Sequence, residues 1–137
     1  MGMYTGLKCK VKIKEEYRED IQSVMDSTEW YLCKHKELKD FSKVSRSLMI
    51  PFGASCYMPD EWEDNNFGFY FNDDGIWNFQ CSLKNYDSTI EIFIKLLELI
   101  ASEVYHLETF YEEDEYSHLY EMKDGKIIDT GKGIKYL

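Results

Sequence analysis

Apolar and polar residues alternate in several short stretches of this 137-residue chain, and residues 67–104 carry the clearest succession of elements. Apolar positions alternate before and after the polar turn sequence 72–75, which is typical of a β-hairpin. A run rich in Ile, Leu and Phe then keeps helical spacing up to Val104. Ser88 and Glu91 have the spacing of a capping box, so we expect the helix to begin at Ser88. The stretch predicts strand, turn, strand and helix in immediate succession.

Both ends of the chain also alternate. Residues 7–14 alternate apolar side chains with lysines, which predicts a half-buried strand. Its exposed lysines would either discourage edge-to-edge pairing or contact an anionic ligand, and the first explanation is favoured. Residues 15–25 have apolar side chains at helical spacing and acidic ones near the positive N-terminal end. Residues 105–128 contain three further alternating stretches, and Asp124-Gly125 is a type I′ hairpin signal between the last two.

The order of these elements is β–α–irregular–β–β–α–β–β–β. It predicts an α+β fold of the ferredoxin-like, or split βαβ, type: an antiparallel sheet with helices on one face and an extra C-terminal β-meander. Residues 26–66 are harder to assign, and both prolines of the chain, Pro51 and Pro59, lie among them. A chain of this length fits a single domain, residues 1–137.

Composition narrows the class of protein. With 44% hydrophobic residues and 16% aromatic ones, the chain has the composition of a folded protein. It has neither a secretory signal pattern nor the roughly 20 apolar residues of a membrane span, so we expect a cytoplasmic protein. The four cysteines, Cys9, Cys33, Cys56 and Cys81, are widely spaced, which favours reduced, structural thiols.

Charge is distributed unevenly along the chain. Residues 1–46 carry a net charge of +2 and the remaining residues −12, which together give the overall −10. A negative field of this size disfavours direct binding to nucleic acid or to anionic membranes. It favours encounter with a basic protein partner.

Catalytic and metal-binding patterns are weak. Cys33 and His35 are two positions apart on a predicted helix, so they would not share a face. His106 and His118 flank a carboxylate run and could approach each other across a turn, with Glu108 or Glu112 as an oxygen ligand, but nothing in the spacing requires a metal. We therefore predict no catalytic residues, no metal and no cofactor.

Acidic residues interleaved with aromatic ones are the remaining candidate. Aromatic anchors surrounded by charge suit protein recognition, although both acidic segments could be solvated turns and Trp62 could anchor its own loop. The predicted partner-binding residues are Asp60, Glu61, Trp62, Glu63, Asp64, Tyr111, Glu112, Glu113, Asp114, Glu115 and Tyr116.

Two stretches resemble a known family. Residues 77–82, Trp-Asn-Phe-Gln-Cys-Ser, precede the long helix, and residues 105–113, Tyr-His-Leu-Glu-Thr-Phe-Tyr-Glu-Glu, follow it. Together they resemble the YubB ferredoxin-like domain family of plasmids, phages and other mobile elements, over about residues 67–128. The resemblance implies a ferredoxin-like fold and a mobile-element setting, and it carries over no site residue.

Three functional hypotheses follow. The leading one is a non-enzymatic, acidic antagonist of the immunity or anti-defence type, which blocks a basic, nucleic-acid-handling protein. The alternative is a small-ligand-binding or enzymatic domain, in which the polar row Asn78, Gln80 and Ser82 lines a pocket with His106 or His118. A third hypothesis is a structural subunit that associates with itself through its aromatic surface.

Overall fold

The computed structural model describes residues 3–54, 58–64 and 66–136, so Cys56 lies outside the described residues. The strands are β1 Thr5–Ile13, β2 Tyr70–Phe71, β3 Ile76–Leu83, β4 Ala101–Tyr111, β5 His118–Lys123 and β6 Lys126–Asp129. The helices are α1 Arg18–Ser27, α2 Lys36–Phe41, α3 Met49–Phe52 and α4 Thr89–Ile100, with single 3-10 turns at Glu15–Tyr17 and Trp30–Leu32. The strands form one antiparallel sheet in the order β2-β3-β1-β4-β5-β6. The predicted α+β class is confirmed.

Strand β1 lies in the middle of the sheet, between β3 and β4. Its apolar residues are fully buried in the main core, on the side of the sheet that packs against α1, α2 and α4: Leu7, Cys9, Val11 and Ile13. We call this side the helix face. The central position of β1 shows that protection of an edge strand is the wrong explanation for its lysines.

Aromatic rings form the centre of the helix face. Trp30, Trp77 and Phe93 are fully buried, and their ring centroids lie 5.8–6.3 Å apart in edge-to-face geometry. The indole Nε1 of Trp30 donates to the backbone oxygen of Ile50 at 2.8 Å. These contacts fix the chain after α1 against the sheet, which sequence periodicity did not predict.

The start of α4 differs from the predicted capping box. Ser88 has a left-handed backbone conformation and its side chain makes no cap hydrogen bond. Asn85 takes that role: its Oδ1 accepts from Ile90 N at 2.8 Å and its Nδ2 donates to Glu91 Oε1 at 2.7 Å. The prediction that Ser88 caps the helix is therefore wrong.

The end of α4 also differs from the prediction. The helix stops at Ile100 and β4 begins at Ala101, so the apolar run does not stay helical to Val104. The reason is pairing: Ala101 lies opposite Ile13 of β1, and Lys14 N donates to Ile100 O at 2.8 Å.

The two predicted hairpins have different outcomes. Asp124 and Gly125 both have positive φ, 52° and 77°, as a type I′ turn requires, so that prediction is confirmed. The first strand of the central hairpin is shorter than predicted, because only Tyr70 and Phe71 pair with β3. Gly68, with φ of 93°, turns the chain just before them.

Three cysteines can be assessed. Cys9, Cys33 and Cys81 are buried free thiols, as predicted. Burial raises the pKa of the Cys33 thiol to about 12 and also raises the pKa of the Cys9 and Cys81 thiols. These thiols are therefore protonated and serve as small apolar side chains in the core.

Candidate functional site

The opposite side of the sheet, which we call the loop face, is built around the row Gln80, Lys8 and Glu108. Lys8 on β1 lies directly between Gln80 on β3 and Glu108 on β4. Sequence alternation predicted that this face meets water. Lys8 is only 5% exposed and Glu108 is completely buried, so for these residues that prediction is wrong.

Three polar side chains of β3 hold segments that precede β3 in sequence against the loop face. Asn78 donates to the backbone oxygen of Phe67, Gln80 to that of Asp64, and Ser82 to that of Ala54. The first two bonds are 2.5 and 2.6 Å long. The prediction that this row forms a wet face is therefore wrong, because Asn78 and Ser82 are buried and all three side chains bind backbone oxygens of the chain itself.

Glu108 is the centre of a buried hydrogen-bond network. Its Oε2 accepts from the hydroxyls of Ser117 at 2.6 Å and Tyr136 at 2.7 Å. Its Oε1 lies 2.8 Å from Nε2 of His106. Burial alone would raise the pKa of Glu108, but hydrogen bonds from His106, Ser117 and Tyr136 outweigh it and hold the pKa below its usual value. Glu108 is therefore a carboxylate, and Nε2 of His106 donates to it.

The ammonium group of Lys8 lies among aromatic rings. Its Nζ is 4.3 Å from the ring centroid of Trp62, 5.4 Å from that of Tyr136 and 6.0 Å from that of Phe67. Within residues 3–54, 58–64 and 66–136 it makes no hydrogen bond and no ion pair within 4.0 Å. Burial lowers the pKa of Lys8, and the nearby carboxylates of Glu108 and Asp64 counteract this. Aromatic faces thus take the place of direct ligands.

Trp62 anchors its own loop on this face. Its ring is fully buried, stacks on Phe110 with centroids 5.5 Å apart, and meets Tyr136 edge-on at 5.3 Å. The ring edge lies against Gly6, where an added Cβ would be 2.6 Å from the indole Nε1. Of the two roles considered for Trp62, the loop anchor is the one the structure shows, and a direct contact with a partner does not fit it.

The two predicted acidic segments meet at this aromatic cluster. Trp62 belongs to the first segment, and its partner Phe110 directly precedes the second. Tyr136 contacts both rings and donates its backbone N–H to Glu115 O at 3.1 Å. The segments are 47 positions apart at their nearest ends in sequence, Asp64 and Tyr111. The fold brings them to one surface.

We call this surface the acidic face. Its carboxylates come from both segments: Asp60, Glu61, Glu63, Asp64, Glu112, Glu113, Asp114 and Glu115. Tyr111 and Tyr116 are the exposed aromatic residues of the second segment, at 37% and 53%.

Few partners neutralise these carboxylates. Among the described residues only Glu115 forms an ion pair, with Lys135 at 3.7 Å. Glu112 accepts from the backbone N–H of Tyr4 at 2.6 Å. Desolvation, followed by the charges of Glu113, Glu112 and Asp114, raises the pKa of Tyr111. The acidic face therefore presents a negative field to solvent.

The other candidate groups do not form a joint site. His118 pairs with Thr109 and thus lies on the helix-face side, whereas His106 lies on the loop face. Nδ1 of His118 is 2.9 Å from Oδ2 of Asp129. In the part of the chain that the structure describes, no group of three or more His, Cys, Asp or Glu side chains could hold a metal ion.

The cysteine–histidine pair is also separated. The thiol of Cys33 lies 3.7 Å from the backbone oxygen of Asp20. Nδ1 of His35 lies 2.8 Å from the carboxylate of the same aspartate. Both side chains therefore hold the turn before α2 against α1.

Comparison with protein-family models, with curated proteins and with solved structures found no match. The resemblance to the YubB family therefore stays a prediction. Across the described ranges, no helix has both the length and the apolar character that crossing a membrane requires.

Proposed function

We propose that this protein is a non-enzymatic antagonist whose acidic face binds and blocks a basic, nucleic-acid-handling protein, in the manner of immunity and anti-defence proteins. One observation carries the proposal: the fold joins two separate acidic segments through the contacts of Trp62, Phe110 and Tyr136. A partner that approaches this surface would meet both segments at once.

The composition of the acidic face fits a basic partner. Its carboxylates would accelerate the encounter with a positively charged partner. Such electrostatic steering changes the association rate more than the dissociation rate. Tyr111 and Tyr116 would supply exposed aromatic area beside the charges, as protein interfaces commonly do. Two lysines lie at this surface: Lys135 pairs with Glu115, and Lys8 is buried beneath Trp62.

We also propose that the fold is ferredoxin-like in detail, which agrees with the YubB resemblance and a mobile-element setting. The strand order β2-β3-β1-β4 supports this arrangement. Helix α1 lies between β1 and β2 in the chain, and α4 lies between β3 and β4, as in a split βαβ pattern. Strands β5 and β6 would then be the added meander. A cytoplasmic location is part of the same proposal.

Reversing charge on the acidic face should slow association. The variant Glu113→Lys with Asp114→Lys replaces two exposed carboxylates that make no ion pair among the described residues. We expect its association rate with the partner retained from host lysate to fall about tenfold at low salt, with a smaller change in dissociation. Surface plasmon resonance at two salt concentrations measures both rates.

The matched control is Asp73→Lys with Asp74→Lys. These aspartates are also exposed neighbours in a turn, and their reversal changes net charge by the same amount. They precede Ile76, which pairs with Lys12, whereas Tyr111 pairs with Thr5 at the other end of β1. Equal slowing by both variants would mean that net charge alone acts, and would count against a defined acidic face.

A second candidate function, small-ligand binding, is favoured by the groove beside His106. Tyr105, His106, Tyr120, Thr130 and Lys132 are among the residues that line it. Buried Glu108 fixes the imidazole through Nε2, which is how a general base or a ligand-binding histidine is oriented.

A metabolite screen tests this second candidate. We expect at least one compound to raise the melting temperature of the parent protein and to have no effect on a His106→Gln variant, because the groove would lose its imidazole. His35→Gln is the control, since His35 contacts Asp20 before α2 and does not line this groove. Equal shifts in the parent and the His106→Gln variant would exclude this groove.

A further inference from the structure

A groove with two cationic side chains lies at the end of the sheet where β1 begins and β3 ends. Arg46, in the turn before α3, and Lys84, which directly follows β3, line it together with Tyr4 and Met49. Neither cation has an ion pair within 4.0 Å among the described residues, although the chain contains 26 Asp and Glu against 16 Lys and Arg. Two uncompensated positive charges therefore share one groove.

This groove differs in charge from the other grooves of the molecule. The described residues that line it include no carboxylate. The grooves beside His106 and His118 share Asp129, and the groove between α2 and α4 contains Glu37 and Asp40. An anionic ligand would therefore be attracted to the groove of Arg46 more strongly than to these three.

Aromatic rings hold both cations in place. The guanidinium carbon of Arg46 lies 4.8 Å from the ring centroid of Tyr86, and Nζ of Lys84 lies 5.7 Å from that of Tyr4. The one hydrogen bond that the Arg46 side chain makes among the described residues goes to a neutral group, Oγ of Ser45, at 3.2 Å. A guanidinium that stacks on a ring keeps the N–H donors of its edge available. Both charges are thus positioned without being neutralised.

The backbone of Arg46 is held in an unfavourable conformation. Its φ is 61°, in the left-handed region that residues with a side chain rarely adopt. Fully buried Thr89 donates through Oγ1 to the backbone oxygen of Ser45 at 2.5 Å, and Met49 N donates to Arg46 O at 2.9 Å. Conformations of this kind are concentrated at binding and active sites, where the surrounding structure maintains them.

We propose that this groove binds a small organic phosphate monoester. Arg46 and Lys84 would bind the phosphate group, and Met49 and Tyr4 would contact the body of the ligand. The planar guanidinium donates to phosphate oxygens in pairs, and the ammonium group adds a point charge. A phosphate monoester carries about −1.5 to −2 charges at pH 7, which matches two cations better than the single charge of a carboxylate does.

The size of the groove and the charge around it favour a small ligand over nucleic acid. Its volume of about 380 Å³ is that of a small-molecule site. Glu112 accepts from Tyr4 N at 2.6 Å and comes no closer than 4.0 Å to Lys84, so a further phosphate beyond the groove would meet a carboxylate. The net charge of −10 also repels a polyanion. This site would bind its ligand whether or not the acidic face binds a protein.

Phenyl phosphate is the probe, because it carries one phosphate monoester on one aromatic ring. Two-dimensional proton–nitrogen NMR spectra should show shifts centred on the groove, with a dissociation constant below about 1 mM. Inorganic phosphate and benzoate should each bind about fivefold more weakly, because the first lacks the apolar body and the second lacks the second charge. The proposal is overturned if either binds as tightly as phenyl phosphate, or if phenyl phosphate causes no shift at the groove.

Substitution of each cation tests its role. Arg46→Gln and Lys84→Gln should each raise the dissociation constant for phenyl phosphate about tenfold, and Arg46→Lys only about threefold, because lysine keeps the charge but loses the paired donors. Lys123→Gln is the matched control, since it removes one charge from an exposed lysine on β5 that does not line the groove. Circular dichroism confirms that each variant is folded. Equal weakening by Arg46→Gln and Lys123→Gln would show that net charge alone acts, and would overturn the site.

Discussion

Replacement of Trp62 by alanine is expected to lower the free energy of unfolding by about 3–5 kcal/mol, the usual cost of deleting a buried tryptophan. The ring is fully buried, stacks on Phe110 and covers the Lys8 ammonium group. Its loss would open a cavity on the loop face and release the first acidic segment from the second. Urea denaturation followed by circular dichroism measures the change.

Trp62→Phe is the matched control. Phenylalanine keeps an aromatic ring against Phe110, so we expect it to retain more than half of the stability that alanine loses. It should also keep partner binding close to that of the parent protein. If Trp62→Phe abolished binding without loss of stability, Trp62 would contact the partner directly, which is the other role considered for it. Its role as a loop anchor would then not explain its effect on binding.

The second large effect is expected for Glu108→Ala, which should also lower the free energy of unfolding by about 3–5 kcal/mol. Removal of one member of a buried charged network is this costly because the remaining polar and charged groups stay buried without their partner. The hydroxyls of Ser117 and Tyr136 would lose their acceptor. Buried Lys8 would lose the nearest negative charge on its neighbouring strand. Glu121→Ala, an exposed position on β5, should change the free energy of unfolding by less than about 0.5 kcal/mol.

The pH dependence separates the charge of Glu108 from its shape. Hydrogen bonds hold the pKa of Glu108 in the folded protein below the unfolded value of about 4.3. Its stabilising contribution is therefore complete above that pH and is lost as the pH falls through the folded pKa. The stability advantage of the parent over Glu108→Gln should shrink on acidification below about pH 5. An advantage that is constant down to pH 3 would contradict an ionised Glu108.

Local sequence patterns correctly predicted those elements that depend only on residue type and on neighbouring residues in the chain. The buried apolar phase of β1 and the positive φ values at Asp124 and Gly125 follow from residue type and immediate neighbours, and both agree with the structure. The boundary at Ile100 did not follow, because Lys14, far away in the chain, pairs with it. The cap of α4 was assigned to Ser88, since spacing alone does not show that Asn85 reaches the same amides.

The loop face could not be predicted from alternation. A lysine in an alternating strand normally faces solvent, and Lys8 is buried only because Trp62 and Tyr136 come from distant parts of the chain to cover it. The same covering explains Glu108, whose hydrogen-bond partners Ser117 and Tyr136 follow it at 9 and 28 positions. One signal was available in the sequence: Phe110 shares the phase of Glu108, and a phenylalanine on that face needs something to cover it.

The acidic segments were predicted from composition alone, but their convergence was not. Nothing in either segment indicates that residues 60–64 and 111–116 are neighbours, because the contact is made by Trp62, Phe110 and the C-terminal Tyr136. The convergence turns two ordinary acidic turns into one surface. It is also the step on which the functional proposal depends.

Affinity capture from host lysate tests that proposal most directly. The parent protein, Glu113→Lys/Asp114→Lys and Asp73→Lys/Asp74→Lys are immobilised in parallel, at low and at high salt. We predict that the parent and the Asp73/Asp74 variant retain the same basic, nucleic-acid-handling protein at low salt, that high salt releases it, and that the Glu113/Asp114 variant retains much less of it. Equal retention by both variants, or no retained protein at either salt, would contradict the account.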